Sequence, residues 1–350
     1  MTKKTGLRKL ALFFMVLLIS CTFTISSSIA GEKKYRWKLQ SGYPHGDLSF
    51  ELLKGFAADV KKFSNGRLSI SVFADSEIVP LEQLFESTQR GVIDILHCMG
   101  AFWGGILPVG EIEFGIPFAY TIDESDNFDD KAQIIRDFYY DKGFVDLLRE
   151  EYSNHGLHWL DMHTYGGPFV LSTKPLDTYD DWKGVKIRDE GIYTQFHNMI
   201  GARGTYVSGG EAYMALKLGT LDASQWDISA ISGLKWNEVA PYWVKTGDND
   251  HVIGHMLINN KSWNSLPDDL KKVLEKAAEN YWYATVKGYG EEFKNAENMV
   301  KAGTLKESIV TPETREKHKE IAYKIWDEVA KRDAASAKAI KMIKEWRGVK

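Results

Sequence analysis

Arg90-Gly91-Val92-Ile93-Asp94 and Leu218-Gly219-Thr220-Leu221-Asp222 are two versions of one phrase, and together they decide the fold. In each, a helical stretch that begins near an acidic residue, Glu82 or Glu211, stops at a glycine, and an aspartate then enters an apolar run. Glycine just past a helix adopts the left-handed conformation that ends it at little cost. Outward from the first copy, residues 36–40 read as a strand, and Phe50, Leu53, Phe56, Val60 and Phe63 share one helical face that Ser64-Asn65-Gly66 ends. Leu68, Ile70 and Val72 alternate as a strand, Pro80 opens a helix to about Arg90, and Val92 to His97 makes a third strand. Outward from the second copy, the same rhythm gives a strand over 185–188, a helix over 192–200 ended by Gly201, and a strand from Thr205 to Val207. A helix from Glu211 to Leu218 and a strand from Leu221 to Gln225 complete it. Two βαβαβ units in one chain predict an α/β fold of two lobes, each with an open sheet, and a cleft between them.

Ligands of open sheets lie beyond the carboxyl ends of the strands. That rule nominates His97 in lobe one, and Arg188, Gln225 and Trp226 in lobe two. Leu157 to Met162 and Val252 to Asn259 are strand-like and suited to crossing between the lobes. The resulting division puts residues 31–160 with about 223–255 in lobe one, and residues 161–222 with about 256–310 in lobe two. From Pro267 the chain is strongly helical, to Phe293 and again, after a break at Gly303 to Pro312, from Glu313 to about Trp346, so that 311–350 forms a C-terminal helix. The first of these helices buries Leu270, Leu274, Ala277, Ala278 and Tyr281.

Lys3, Lys4, Arg8 and Lys9 precede an apolar stretch from Leu10 to about Ser20 and a polar run ending in Ser28-Ile29-Ala30. This is the order of a secretory signal peptide over residues 1–30, cleaved after Ala30. Its apolar core falls short of the ~20 residues of a membrane span. A rival reading takes Leu18-Ile19-Ser20-Cys21 as a lipoprotein signal that anchors the chain at Cys21, although Ile19 matches that pattern loosely. Losing four basic and no acidic residues takes the net charge from −4 to about −8. Such a surface argues against nucleic-acid and anionic-membrane partners. Once Cys21 has left with the signal, Cys98 is the one remaining cysteine, so no intramolecular disulfide forms, and its apolar run makes it a packing residue.

The usual catalytic signatures are missing: there is no Gly-x-Ser-x-Gly, no His-Glu-x-x-His, no phosphate-loop lysine motif and no paired cysteines for zinc. An exported enzyme would need a nucleophile and base in the cleft, and no motif offers them. His251 and His255 sit on a β-like segment rather than a helix, and His155, His158 and His163 read as packing or surface residues, so no metal site is assigned. Arg188 is different. An arginine that closes an apolar strand is costly to bury unless it meets an anion, and its planar fork matches a carboxylate. The alternative is an internal pair with Asp189, Glu190 or Glu211, and position alone does not decide. Aromatics are dense, with eleven Trp and sixteen Tyr; Trp103, Trp226, Tyr165 and Tyr206 fall near strand ends or cleft loops, where they wall a pocket or simply fill the core.

In their order and spacing, six segments resemble the DctP family, the substrate-binding subunits of tripartite ATP-independent periplasmic (TRAP) transporters. They are Gly66 to Phe73, Gly91 to Asp94, Ile116-Pro117-Phe118-Ala119, Trp182 to Arg188, Ser208 to Tyr213, and Leu218 to Ala223. Within the family the likeness is to the branch that binds 2-oxo and 2-hydroxy monocarboxylates, and it spans essentially the whole chain after residue 30. The resemblance implies a two-lobed periplasmic binding protein that captures a small organic acid and hands it to two transmembrane subunits driven by an ion gradient. Sulfonates, dicarboxylates and aromatic acids stay open as ligands, and a sensor stays open as the partner.

By the same resemblance Arg188 binds the ligand carboxylate; the expected mechanism then has lobe-one groups near His97 and Trp103 contact the ligand's other end as the lobes close. In that branch an acidic residue followed by Trp helps hold a cation that bridges to the ligand. The matching positions here are Gln225 and Trp226, and a glutamine metal ligand of that branch falls at Gly166. Two lost oxygens leave too few for a calcium- or sodium-like ion. The resemblance with these departures therefore implies a ligand held without metal or other cofactor, by Arg188, Gln225 and aromatic or hydroxyl groups; the alternative is that Asp227 supplies an oxygen instead. The C-terminal helix either packs on its own subunit or pairs two copies as a homodimer.

Overall fold

The structure, a computed structural model, describes residues 32–349. The signal peptide over residues 1–30, its cleavage after Ala30 and the anchor at Cys21 lie outside the described residues. Eleven strands appear among the described residues: β1 Tyr35–Ser41, β2 Leu68–Phe73, β3 Ile95–Cys98, β4 Leu157–Thr164, β5 Phe169–Ser172, β6 Lys186–Arg188, β7 Arg203–Thr205, β8 Ala223–Trp226, β9 Tyr242–Lys245, β10 Ile253–Asn259 and β11 Lys306–Ile309. They form two sheets, ordered β2-β1-β3-β10-β4 and β11-β9-β5-β8-β6-β7. In the first, β3 runs parallel to β1 and β10 antiparallel to β3. In the second, β7 and β8 run parallel to β6, and β5 antiparallel to β8. The two lobes thus repeat one plan.

The repeated phrase does the same work in both sheets. Gly91 and Gly219 hold φ of +77° and +71°, the left-handed region that favours glycine, directly after the helices Leu81–Gln89 and Gly209–Lys217. Asp94 Oδ2 accepts the Lys38 N–H at 2.8 Å, and Asp222 Oδ2 accepts the Lys186 N–H at 2.9 Å. Each aspartate N–H then donates to the carbonyl of the same lysine, at 3.0 and 2.7 Å. A carboxylate in this place pairs a backbone donor that the parallel ladder would otherwise leave empty.

The lobe boundaries differ from those the sequence predicts. Of residues 223–255, the strands β8 and β9 join the second sheet and only the start of β10 joins the first. β8 pairs with β6 at Ile187 and Arg188, which closes the second parallel unit. Leu157–Met162 and Val252–Asn259 do not cross between lobes. They pair with each other as β4 and β10 inside the first sheet, and the chain crosses instead at residues 165–168 and 246–252. Both strands are buried on both faces, which makes any strand read as an apolar run whether it crosses or not. The four-residue strands β5, β9 and β11 are too short to leave a periodic signal.

The helix Asp268–Lys301 has 34 residues, about 50 Å at 1.5 Å per residue. It buries Leu270, Leu274, Ala277, Ala278 and Tyr281 as their spacing predicts. It packs on the helix Leu48–Phe63 and on β4, so its first turns belong to lobe one rather than lobe two. The C-terminal segment is two helices, Pro312–Val329 and Ala334–Arg347, because Asp333 caps the second by accepting the Ser336 N–H at 2.6 Å. Both pack on the chain's own lobes. Trp326 Nε1 donates to the Pro117 carbonyl at 2.9 Å, and the last helix lies on Val109–Phe114 and Phe144–Asn154. Among the described residues no helix is long and apolar enough to cross a membrane.

Candidate functional site

Beyond the ends of β1, β3, β6 and β8 the lobes enclose a cavity of about 40 Å³, room for roughly three waters at 10–15 Å³ each. Lobe two supplies Arg188, Asp189 and Glu190 at the end of β6, Tyr193 from the next helix, and Gln225, Trp226 and Asp227 at the end of β8. Lobe one supplies Tyr43, Met99 and Phe114, and the crossing segments supply Tyr165, Pro168 and Val252.

Arg188 is 2 % exposed and is the one cationic side chain among these lining residues. Its Nε donates to the Val207 carbonyl at 2.9 Å, one terminal nitrogen to the Gln225 carbonyl at 3.0 Å, and the other to Glu190 Oε2 at 3.0 Å. The guanidinium carbon lies 4.6 Å from the Trp226 ring centroid and 5.6 Å from that of Tyr206. The internal pair with Glu190 is therefore real, but it does not exhaust the arginine, because two of its five N–H donors are left for a ligand.

The acids around it are unequally matched. Asp189 pairs with His197 Nδ1, and the Gln225 amide, with its nitrogen turned toward Asp189, donates to both carboxylate oxygens at 2.6 and 3.0 Å. Burial raises the Glu190 carboxyl above its ordinary range, and Arg188 pulls it back. Asp227 has no cation. It accepts the Ser229 N–H at 2.7 Å and the Tyr289 hydroxyl at 3.3 Å, and burial together with the nearby Asp47 carboxyl lifts it well above the carboxylate range. Asp47 itself caps the helix Leu48–Phe63, accepting the N–H groups of Ser49 and Phe50, and burial raises it too.

Of the residues nominated from sequence, Arg188, Gln225, Trp226 and Tyr165 come together here. Tyr206 stands beside Arg188, 53 % exposed. His97 and Trp103 do not line the cavity. His97 lies inside β3 with its ring turned into the core, and on this strand the cleft begins at Met99. Its nitrogens meet Ser41 Oγ at 3.0 Å and the Tyr281 hydroxyl at 2.9 Å, and burial pushes its pKa down to about 3. Trp103 stacks on His255, with ring centroids 5.4 Å apart. Sequence reasoning missed Tyr43, which the strand-end rule would have found had it been applied to β1.

The donors present do not suit a calcium-like ion, which takes six or more oxygens. Asp189 and Glu190 are already paired and Gln225 is turned to Asp189, which leaves Asp227. Gly166 has φ +70°, and a side chain there would start 2.7 Å from the Phe293 ring; Tyr165 and Pro168 on either side line the cavity in its place. Among the described residues no three His, Cys, Asp or Glu side chains converge as metal ligands would.

Residues 41–333 match the family model described as bacterial extracellular solute-binding protein, family 7, or DctP. The chain is 26 % identical over 339 residues to a monocarboxylate 2-oxoacid-binding periplasmic protein of Nostoc sp., covering 94 % of this chain and 89 % of that one. It is 27 % identical to the C4-dicarboxylate-binding periplasmic protein DctP of Rhodobacter capsulatus, over 79 % of this chain and 80 % of that one. A TRAP periplasmic solute binding protein from Colwellia psychrerythraea, solved with bound calcium and pyruvate, shares the fold: the TM-score is 0.82 at 23 % identity, over 90 % of this chain and 95 % of that one. These are periplasmic solute-binding proteins of transport systems, not enzymes. With the match running from the end of β1 to the cap of the last helix, the chain belongs to the DctP family of bacterial extracellular solute-binding proteins.

Proposed function

We propose that this chain is the solute-binding subunit of a TRAP transporter, exported by the signal peptide of residues 1–30, and that it delivers a small 2-oxo or 2-hydroxy monocarboxylate to the membrane subunits. The observation that carries this reading is Arg188, buried between the lobes with two N–H donors in hand. A carboxylate takes such a pair in a planar fork. The cavity suits a ligand of few atoms, and a second carboxylate would face Asp227 and Glu190 with no second cation to meet it. The substrate class of the Nostoc relative supports the same choice. Binding is metal-free in this reading, since pairing of Asp189, Glu190 and Gln225 leaves only the Asp227 side chain for an ion. A ligand that touches both lobes favours their closure. Pairing of two copies through the C-terminal helices gains no support, because their apolar faces already rest on the chain's own lobes.

A thermal-shift panel of organic acids tests this. A ligand at a hundredfold its dissociation constant stabilises by ~2.7 kcal/mol, and 2-oxo and 2-hydroxy monocarboxylates should give the largest shifts, unchanged by EDTA. A shift confined to dicarboxylates, or one that needs added calcium, contradicts the reading.

A further inference from the structure

The charged groups of the cavity all stand in lobe two, together with Tyr193, Gln225 and Trp226, and the lining from lobe one and the crossing segments is apolar apart from two hydroxyls. Met99, Phe114, Pro168 and Val252 offer no hydrogen bond, which leaves Tyr43 and Tyr165. The two are linked. The Tyr165 hydroxyl lies 2.8 Å from His163 Nε2, and the Tyr165 ring packs against that of Tyr43. His163 is fully buried and stacked on His97 with ring centroids 4.2 Å apart; its Nδ1 has no partner among the described residues, and burial keeps the ring neutral. With the proton on Nε2, His163 donates to the Tyr165 hydroxyl, whose own proton is then free to turn toward Tyr43. Tyr43 then has its own hydroxyl proton left to give.

Its ring is held firmly enough for that to matter. The Tyr43 N–H donates to Ser41 Oγ at 3.1 Å and its carbonyl accepts the Asp75 N–H at 2.9 Å. The ring sits 5.1 Å from Tyr165 and 6.2 Å from Trp226 of lobe two. With a carboxylate fixed on Arg188, a ligand that spans the cavity meets Tyr43 on the lobe-one side. Resting on the reading above of an oxo- or hydroxy-acid site, we propose that the Tyr43 hydroxyl, oriented by Tyr165 and His163, donates the hydrogen bond that recognises the oxygen on C2 of the ligand. Tyr43 is then the residue that selects 2-oxo and 2-hydroxy acids over plain carboxylates, and Tyr165 and His163 are positioning residues. An acid without that oxygen leaves a buried donor unpaired.

The test is isothermal titration with acids that differ only at C2: pyruvate against propionate, and 4-methyl-2-oxopentanoate against 4-methylpentanoate. Tyr43→Phe keeps the ring and removes the donor, and should weaken the oxo acid about tenfold while leaving its partner unchanged, so that discrimination collapses. Tyr165→Phe should give a smaller loss of the same kind, since it removes only the orienting bond. Equal weakening of both members of a pair by Tyr43→Phe, or discrimination left intact, overturns the inference. If the wild-type protein binds both members equally, this inference falls together with the preference for 2-oxo acids, while capture of a monocarboxylate by a TRAP solute-binding subunit stands. If it binds no acid of either pair, both fall.

Discussion

The two walls of the cavity grow from equivalent strand ends and carry opposite chemistry. At the ends of β6 and β8 the chain reads Arg188-Asp189-Glu190 and Gln225-Trp226-Asp227; just past β1 and β3 it reads Gly42-Tyr43 and Met99-Gly100. Lobe two presents an arginine already fixed by three hydrogen bonds, whereas lobe one presents rings, a thioether and a hydroxyl. The difference teaches a division of labour. Lobe two can hold an anion alone, and lobe one gains from closing only when the charge is covered and something remains to touch.

Changes on the lobe-two wall should do the most damage. Arg188→Ala leaves Glu190 buried without its partner, and removing one member of a buried pair should cost about 3 kcal/mol of stability or more, read by chemical denaturation. Adding Glu190→Gln to that background should restore much of the loss; no recovery would mean that the arginine's packing on Trp226, not the orphaned charge, is what matters. Gln225→Glu sets a carboxylate against Asp189 in place of two donated bonds, with an expected cost of about 2 kcal/mol and weaker acid binding. An unchanged melting temperature would show that the amide does not face Asp189. The smallest effect should come from lobe one. Asparagine caps a helix as well as aspartate, so Asp47→Asn removes only the charge. Asp47 has a raised pKa, so the stability it contributes is present below its unfolded value of about 3.9 and is lost as pH rises through the folded value. The variant should therefore gain on wild type near neutral pH and lose that gain toward about pH 4, and thermal melts at both ends check the sign.

Much of this organisation is legible in the sequence because its signals are local. Gly91 and Gly219 end helices whatever surrounds them, Asp94 and Asp222 act on strands already in their own unit, and an arginine closing an apolar strand at Arg188 is conspicuous by itself. Four of the seven nominated site residues line the cavity for the same reason. What is not legible is set by distant partners. Which sheet takes β8, β9 and β10 depends on register against strands far off in the chain. The direction that Gly166 faces is fixed by Phe293 on the long helix. His97 misses the cavity because Ser41 and Tyr281, far off in the chain, hold its ring in the core, and Tyr43 carries no pattern of its own until β1 and β3 are side by side.

The most direct measurement is isothermal titration of EDTA-treated protein with the best 2-oxo acid of the panel, for wild type and for Arg188→Lys. Lysine keeps the charge and loses the planar fork. Wild type should bind as tightly after EDTA as before, and the lysine variant at least about tenfold more weakly. Binding that returns only with added calcium, or that is equal in the two proteins, would contradict capture of the carboxylate by Arg188 without a metal.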